Sequence, residues 1–200
     1  MTNIGLIVAL KAEVPDMFRD SKVHHLADSS IKVVISGMGP RKARKAAEKL
    51  IAFFGDQKPD YIINLGFCGA TGREPGIGDL ILADRVSDKK SEILLDENYI
   101  LMAKEVLGGT GYFTGKIESF HVPVFSGSKV SKDTLAVDME AYTIVETALQ
   151  YQVPVLVVKA VSDIVPQKFS LTGLWRTVKE FKYNSKQAKH QLDMFVGSYF

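Results

Sequence analysis

Residues 153–163 read VPVLVVKAVSD. From Val153 to Val161 almost every position is apolar, most of them β-branched, and polar residues do not alternate with them. A strand with one wet face alternates; a strand covered on both faces does not. The stretch therefore predicts a central strand between two layers of helices. It ends on Ser162-Asp163, two polar groups at the carboxyl end of a buried strand.

Working outward, IGLIVAL (4–10), IKVVISG (31–37), YIINLG (61–66) and DLILADRV (79–86) read as further strands, with HVPVFSG (121–127) a weaker one. Helical spacing fills the gaps. Pro40 suits a first helical turn, and Ala43, Ala46, Ala47, Leu50, Ile51 and Phe54 then fall on one face. Helices are also expected over 96–107, 139–150 and 172–196, the last with Lys179, Lys182, Lys186 and Lys189 as a solvated face. Strands alternating with helices predict one α/β domain over residues 1–200, with a mixed, mostly parallel central sheet flanked by helices. Residues 108–134, rich in glycine, serine, threonine and lysine, are the least regular part and read as hairpins or a loop near a site.

The chain has 200 residues, 46% of them hydrophobic and 24% charged, enough to bury a sizeable core. Twenty-five basic against 23 acidic residues give a net charge of +2, with no basic stripe of the kind that binds nucleic acid. The apolar run 4–10 is too short to cross a bilayer and follows no basic segment. One cysteine, Cys68, excludes an intrachain disulfide. The expectation is a cytoplasmic protein with no membrane and no nucleic-acid partner. No CxxC, HxxxH or His-carboxylate cluster suggests a metal.

In open α/β sheets ligands bind beyond the carboxyl ends of the strands. Gathered there are Glu13, the Gly37-Met38-Gly39 turn, the Gly66-Phe67-Cys68-Gly69 turn, Asp138-Met139-Glu140 and Ser162-Asp163. Each has a plain structural alternative. Gly37-x-Gly39 lacks the third glycine of a dinucleotide fingerprint, because Lys42 stands in its place; its exposed N–H groups could bind an anion or a hydroxyl. Phe67 either plugs the core or lines a pocket. Cys68 as a nucleophile would need a histidine base, and His24, His25, His121 and His190 stand in no telling context. Glu13 could simply open a helix. Asp138 and Glu140, two apart, point to different sides of a helix, which makes Asp138 an N-cap and leaves Glu140 for a ligand.

Taken in order, IGLIVALKAEV, SGMGPRKA, PDYIINLGFCGA, PGIGDLILAD, VDMEA and VPVLVVKAVSD resemble the purine nucleoside phosphorylase and nucleosidase superfamily, and within it the 5′-methylthioadenosine/S-adenosylhomocysteine nucleosidases. The resemblance implies a nucleoside phosphorylase-like fold and cleavage of a purine N-glycosidic bond through an oxocarbenium-like transition state. It implies Asp163 as the acid that protonates the base, Ser162 as the residue that orients it, and Glu13 as the carboxylate that activates water. Glu140 would bind the ribose hydroxyls and Met139 would pack on the sugar, with Phe67, Gly39 and Gly69 also at the substrate. No cofactor is implied. Such proteins are usually homo-oligomers, dimers or larger.

The phosphorolytic branch carries an arginine and a hydroxyl residue where this chain has Asn64 and Phe67, which favours water over phosphate. Arg41 or Arg73 could still supply phosphate contacts, so a phosphorylase is the alternative, and a non-catalytic nucleoside-binding protein is another. The stretch SGSKVSKDT stands where common nucleosidases carry a base-stacking aromatic, and contains none.

Overall fold

The computed structural model describes all residues except 27, 73, 109–110, 125, 128–129 and 167–170, and the backbone alone over 171–179. The strands are β1 (Thr2–Val8), β2 (Val23–Leu26), β3 (Ser29–Ile35), β4 (Tyr61–Ala70), β5 (Leu80–Ser87), β6 (Glu92–Leu94), β7 (Tyr112–Ser119), β8 (Thr134–Asp138) and β9 (Val155–Ile164). The helices are α1 (Pro40–Phe53), α2 (Glu97–Leu107), α3 (Ala141–Gln150) and α4 (Leu171–Tyr199).

The sheet runs β2-β3-β1-β4-β8-β7-β5-β6, and β9 pairs with both β4 and β5. Strands β4, β9, β5, β7 and β8 therefore close into a ring, while β1, β3 and β2 extend from it. The sheet is mixed. Pairs β1–β3, β1–β4, β4–β9, β5–β7 and β7–β8 are parallel, but β2–β3, β4–β8, β5–β6 and β5–β9 are antiparallel. The expected mostly parallel, open sheet is corrected on both counts. The cause is the ring: closing it brings β8 and β5 against β4 and β9 in the opposite sense.

Two hydrophobic layers cover the central strands, as the unbroken apolar runs predict. Val155, Val157 and Val161 of β9 join a cluster with α1 and α3; Leu156, Val158 and Ala160 join a second with α2 and α4. Buried side chains such as Leu50, Leu192 and Phe195 each contribute roughly 1.5–3 kcal/mol by leaving water. Gly5 in β1 is needed for close approach: a β-carbon there would lie 2.3 Å from a Leu50 methyl of α1.

Several elements differ from expectation. Residues 121–124 form no strand, since Pro123 has no N–H for a ladder, and Phe125 lies outside the described residues. His24 and His25, in no element expected from the sequence, belong to the edge strand β2. Much of 108–134 is strand: β7, and the start of β8. Beyond the described side chains lies Lys179; Lys182 and Lys186 are exposed, whereas Lys189 pairs with Asp16 and Asp193.

Candidate active site

The carboxyl ends of β1, β4 and β9 and the end of β8 meet at one side of the ring. After β1 a short 3-10 turn, Lys11–Glu13, turns Glu13 inward instead of opening an α-helix. Glu13 is 3% exposed. Its Oε2 accepts the N–H groups of Ala9 and Leu10, each at 2.7 Å, and its Oε1 accepts that of Phe67 at 2.9 Å. Three of about four acceptor sites of the carboxylate are thus used. Burial raises its pKa above the ordinary glutamate value, against the opposing pull of Lys159 and these donors. Gly66 makes room: a β-carbon there would lie 3.0 Å from Glu13 Oε1.

Asp138 is the last residue of β8, and Glu140 occupies the N-cap position of α3 without a side-chain cap bond. Asp138 nevertheless supplies the helix start, its Oδ2 accepting the N–H of Ala141 at 3.0 Å. Its Oδ1 accepts the hydroxyl of Ser119 at 2.5 Å, and that hydroxyl oxygen accepts the N–H of Tyr142. The sequence-based N-cap role of Asp138 is therefore right in chemistry and displaced in position. Glu140 Oε1 accepts the N–H of Gly39 at 2.7 Å. Burial, and then the neighbouring Asp138, push the Glu140 carboxyl up to about 7.

Beneath them lies Lys159 of β9, 1% exposed, with Nζ 2.9 Å from Asp138 Oδ2. Burial works to lower its pKa, but Asp138, Glu140 and Glu13 more than offset this and hold it above the ordinary lysine value. Nothing in an apolar run flagged this residue; the signal available was a charge inside a strand too buried to leave it unpaired.

Along β4 and β9 the register pairs Cys68 with Val161 and then Gly69 with Asp163, so Ser162 is an extra residue. Such a bulge re-aims the side chains that follow it. Ser162 Oγ donates to Asp163 Oδ1 at 2.8 Å and lies 3.2 Å from the carbonyl oxygen of Cys68. Burial raises the Asp163 carboxyl above its ordinary value, with the Ser162 hydroxyl pulling the other way.

A cavity of about 300 Å³ joins these groups, at the small end of the range for small-molecule sites. Glu13, Asp138, Glu140 and Asp163 line it with Ser162; Met38, Phe67, Cys68, Val124, Met139 and Phe181 supply much of its apolar wall. No lysine, arginine or histidine lines it among the described residues. Phe67 resolves as a wall residue that is also 9% exposed core. Phe181 of α4, unread from the sequence, stands edge-on to Phe67 at 6.3 Å between ring centres.

Gly69 lines the cavity, but Gly39 does not; the N–H expected to meet a ligand is committed to Glu140. Asn64 is buried off the cavity, its Nδ2 donating to the Ile7 carbonyl. Arg41 lines a neighbouring cleft, and Arg73 lies outside the described residues. Within SGSKVSKDT, Ser128 and Lys129 also lie outside them, and Val130 packs near Phe120, Val137 and Val165. Burial pushes the Cys68 thiol well above its ordinary value, and no imidazole lines the cavity to activate it. No group of three or more metal-ligating side chains occurs among the described residues.

Residues 11–100 match the family model described as "Phosphorylase superfamily". A 5′-methylthioadenosine/S-adenosylhomocysteine nucleosidase of Staphylococcus aureus (strain JH9) is 28% identical, over 80% of this chain and 86% of its own. The nucleosidase of Neisseria meningitidis, solved with methylthio-immucillin-A, superposes with a TM-score of 0.85 at 21% identity, covering 100% of this chain and 98% of that one. The enzyme of Helicobacter pylori, solved with butyl-thio-DADMe-Immucillin-A, gives 0.84 at 18% identity, covering 100% and 97%. The fold is that of these nucleosidases, and the residues matched by the family model include or overlap four of the six motifs, from IGLIVALKAEV to PGIGDLILAD.

Proposed function

We propose that this chain, a relative of the nucleosidases of the phosphorylase superfamily, hydrolyses the N-glycosidic bond of a purine nucleoside of the methylthioadenosine or adenosylhomocysteine type and releases the base. The observation that carries the proposal is the convergence of Asp163, Glu140 and Glu13 on one cavity with no basic side chain on its described wall. A phosphate dianion brought among those carboxylates would meet like charge without a paired cation; water meets no such cost. That disfavours phosphorolysis.

In this mechanism Asp163, whose carboxyl burial shifts toward the protonated form, gives its proton to the leaving base, and Ser162 holds its other oxygen. A positioned acid of this kind contributes about 10²–10⁴-fold. Glu140, with Oε1 held by Gly39, accepts hydrogen bonds from the ribose hydroxyls through Oε2. These charge-assisted bonds strengthen as positive charge grows on the sugar. Glu13, fixed by three N–H donors, keeps one acceptor site to orient and deprotonate water beneath the anomeric carbon. Met139 packs on the sugar and Phe67 on the base side, and Gly69 leaves room for Asp163. Proton transfer, sugar binding and water activation are thus three separate carboxylates, with no metal or organic cofactor in the steps.

We further place the protein in the cytoplasm as a homo-oligomer acting in methionine salvage. The supports are one free buried cysteine, no helix among the described residues long and apolar enough to cross a membrane, and exposed Met38 and Val122 beside the cavity. Release of adenine from methylthioadenosine, adenosylhomocysteine and 5′-deoxyadenosine, followed by absorbance, tests the activity. Turnover of at least one is expected; none on any purine nucleoside would sink the proposal.

A further inference from the structure

The four acids of the cavity do not all stand on one face of the sheet. Lys159 shares the face of Val157 and Val161, packed toward α1 and α3, and its register partner on β4 is Gly66. Glu13 lies against that same face of Gly66, and Asp138 pairs directly with Lys159. Asp163 is different. Were β9 regular through Ser162, Asp163 would follow Val161 on the Lys159 face, because side chains alternate with a period of two. The bulge instead pairs it with Gly69, on the face of Phe67, which packs toward α4. The short approach of a Gly69 β-carbon to Asp163 Oδ2 marks the same placement.

We propose that Lys159 is a positioning residue that, with the Ser162 bulge, sorts the site's protons: its buried cation favours the charged forms of Glu13 and Glu140 and leaves Asp163, turned to the other face of the sheet, as the acid. The proposal rests on the hydrolytic reading and deepens it. A closed site with four carboxylates cannot keep all of them ionised, since neighbouring like charges raise one another's pKa. One cation placed off-centre selects which stay charged. The groups facing Lys159 are Asp138, Glu140 and Glu13, from the end of β8, the turn beyond it and the turn after β1; Cys68 of β4 also feels its charge. Asp163 is absent from that set, and its own shift arises from burial and Ser162 alone. For Glu140, Lys159 and the Gly39 N–H favour the charged form, while burial, Asp138 and Glu13 oppose it.

The test follows the Glu140 carboxyl carbon by NMR in carboxyl-labelled protein, assigned by its loss in Glu140→Gln, together with the pH profile of kcat/KM. Lys159→Gln is expected to move the Glu140 midpoint up by one pH unit or more. It should lower kcat/KM at pH 7 by about fivefold or more, with recovery at higher pH. Lys159→Arg, which keeps the charge, should restore both. If Lys159→Gln does not fold, Lys159→Met, which keeps the aliphatic stem and removes the charge, carries the test with the same expected rise of the Glu140 midpoint. A midpoint unmoved in the folded variants, with the wild type active, overturns the role given to Lys159 and leaves hydrolysis standing. A shifted midpoint in a protein that turns over no nucleoside supports the sorting and overturns the hydrolytic reading.

Discussion

Gly69 and Asp163 face each other across β4 and β9 so closely that a β-carbon at position 69 would stand 2.8 Å from Asp163 Oδ2. The acid keeps its place only because its partner has no side chain. Gly69→Ala should therefore displace the carboxyl or the strand beneath it. Strain of this kind typically costs about 1–3 kcal/mol, yet kcat should fall by roughly 10²-fold or more, up to the full contribution of a general acid. Steady-state kinetics beside a thermal melt check this; an unchanged kcat would remove Asp163 from proton transfer.

Glu13→Gln replaces an acceptor of three N–H groups with an amide. One of its ends must then present N–H to N–H, whichever way it is turned. The mismatch is buried, where a hydrogen bond left unmade costs about 1–3 kcal/mol, so stability should fall by about that amount. Activity should fall about 10²–10⁴-fold through loss of the base. Denaturant unfolding and kcat together separate the two effects.

Stability and activity should respond to pH in opposite directions around Glu140. Its folded carboxyl, at about 7, lies above the ordinary glutamate value of 4.5. Between those values the folded state holds a proton that the unfolded state has released, so stability falls as pH rises through this window and levels off above it. The full span amounts to about 3 kcal/mol at pH 8 relative to pH 4. Glu140→Gln should lack this slope, which melts of both proteins from pH 4 to 8 would show. The sugar is bound by the ionised form, so wild-type kcat/KM should rise across the same window and fall again once Asp163 loses its proton.

Much of this was legible in residues that obey local rules. Unbroken apolar runs identified β1, β3, β4, β5 and β9, and Pro40 with its apolar face identified α1. Strand ends carrying Glu13, Glu140 and Asp163 pointed to the cavity these residues share, because buried carboxylates at such ends need a reason. What escaped depended on pairing between distant segments. Strand β7 contains Gly115, Lys116 and Glu118 and reads as loop until its parallel neighbours β5 and β8 bury it. The bulge at Ser162 exists only relative to β4. Lys159 was unreadable as a site residue until β8 brought Asp138 to it. Gly39 went astray for the same reason, since its N–H partner lies 101 residues away.

Phe181 supplies an aromatic wall that the described residues of the loop after β7 do not. Phe181→Ala should raise KM roughly tenfold, as expected for loss of one aromatic contact, with kcat changed little, since the ring carries no group that transfers a proton. Nucleoside titration and initial rates check it; an unaltered KM would place the base elsewhere.

The central claim is that Asp163, Glu140 and Glu13 deliver water to the anomeric carbon. Turnover of methylthioadenosine in H₂¹⁸O, with and without phosphate, tests it most directly. The account predicts free adenine and a free sugar carrying one ¹⁸O at C1, at a rate independent of phosphate. An unlabelled sugar 1-phosphate formed only when phosphate is present, or no release of base at all, would contradict it.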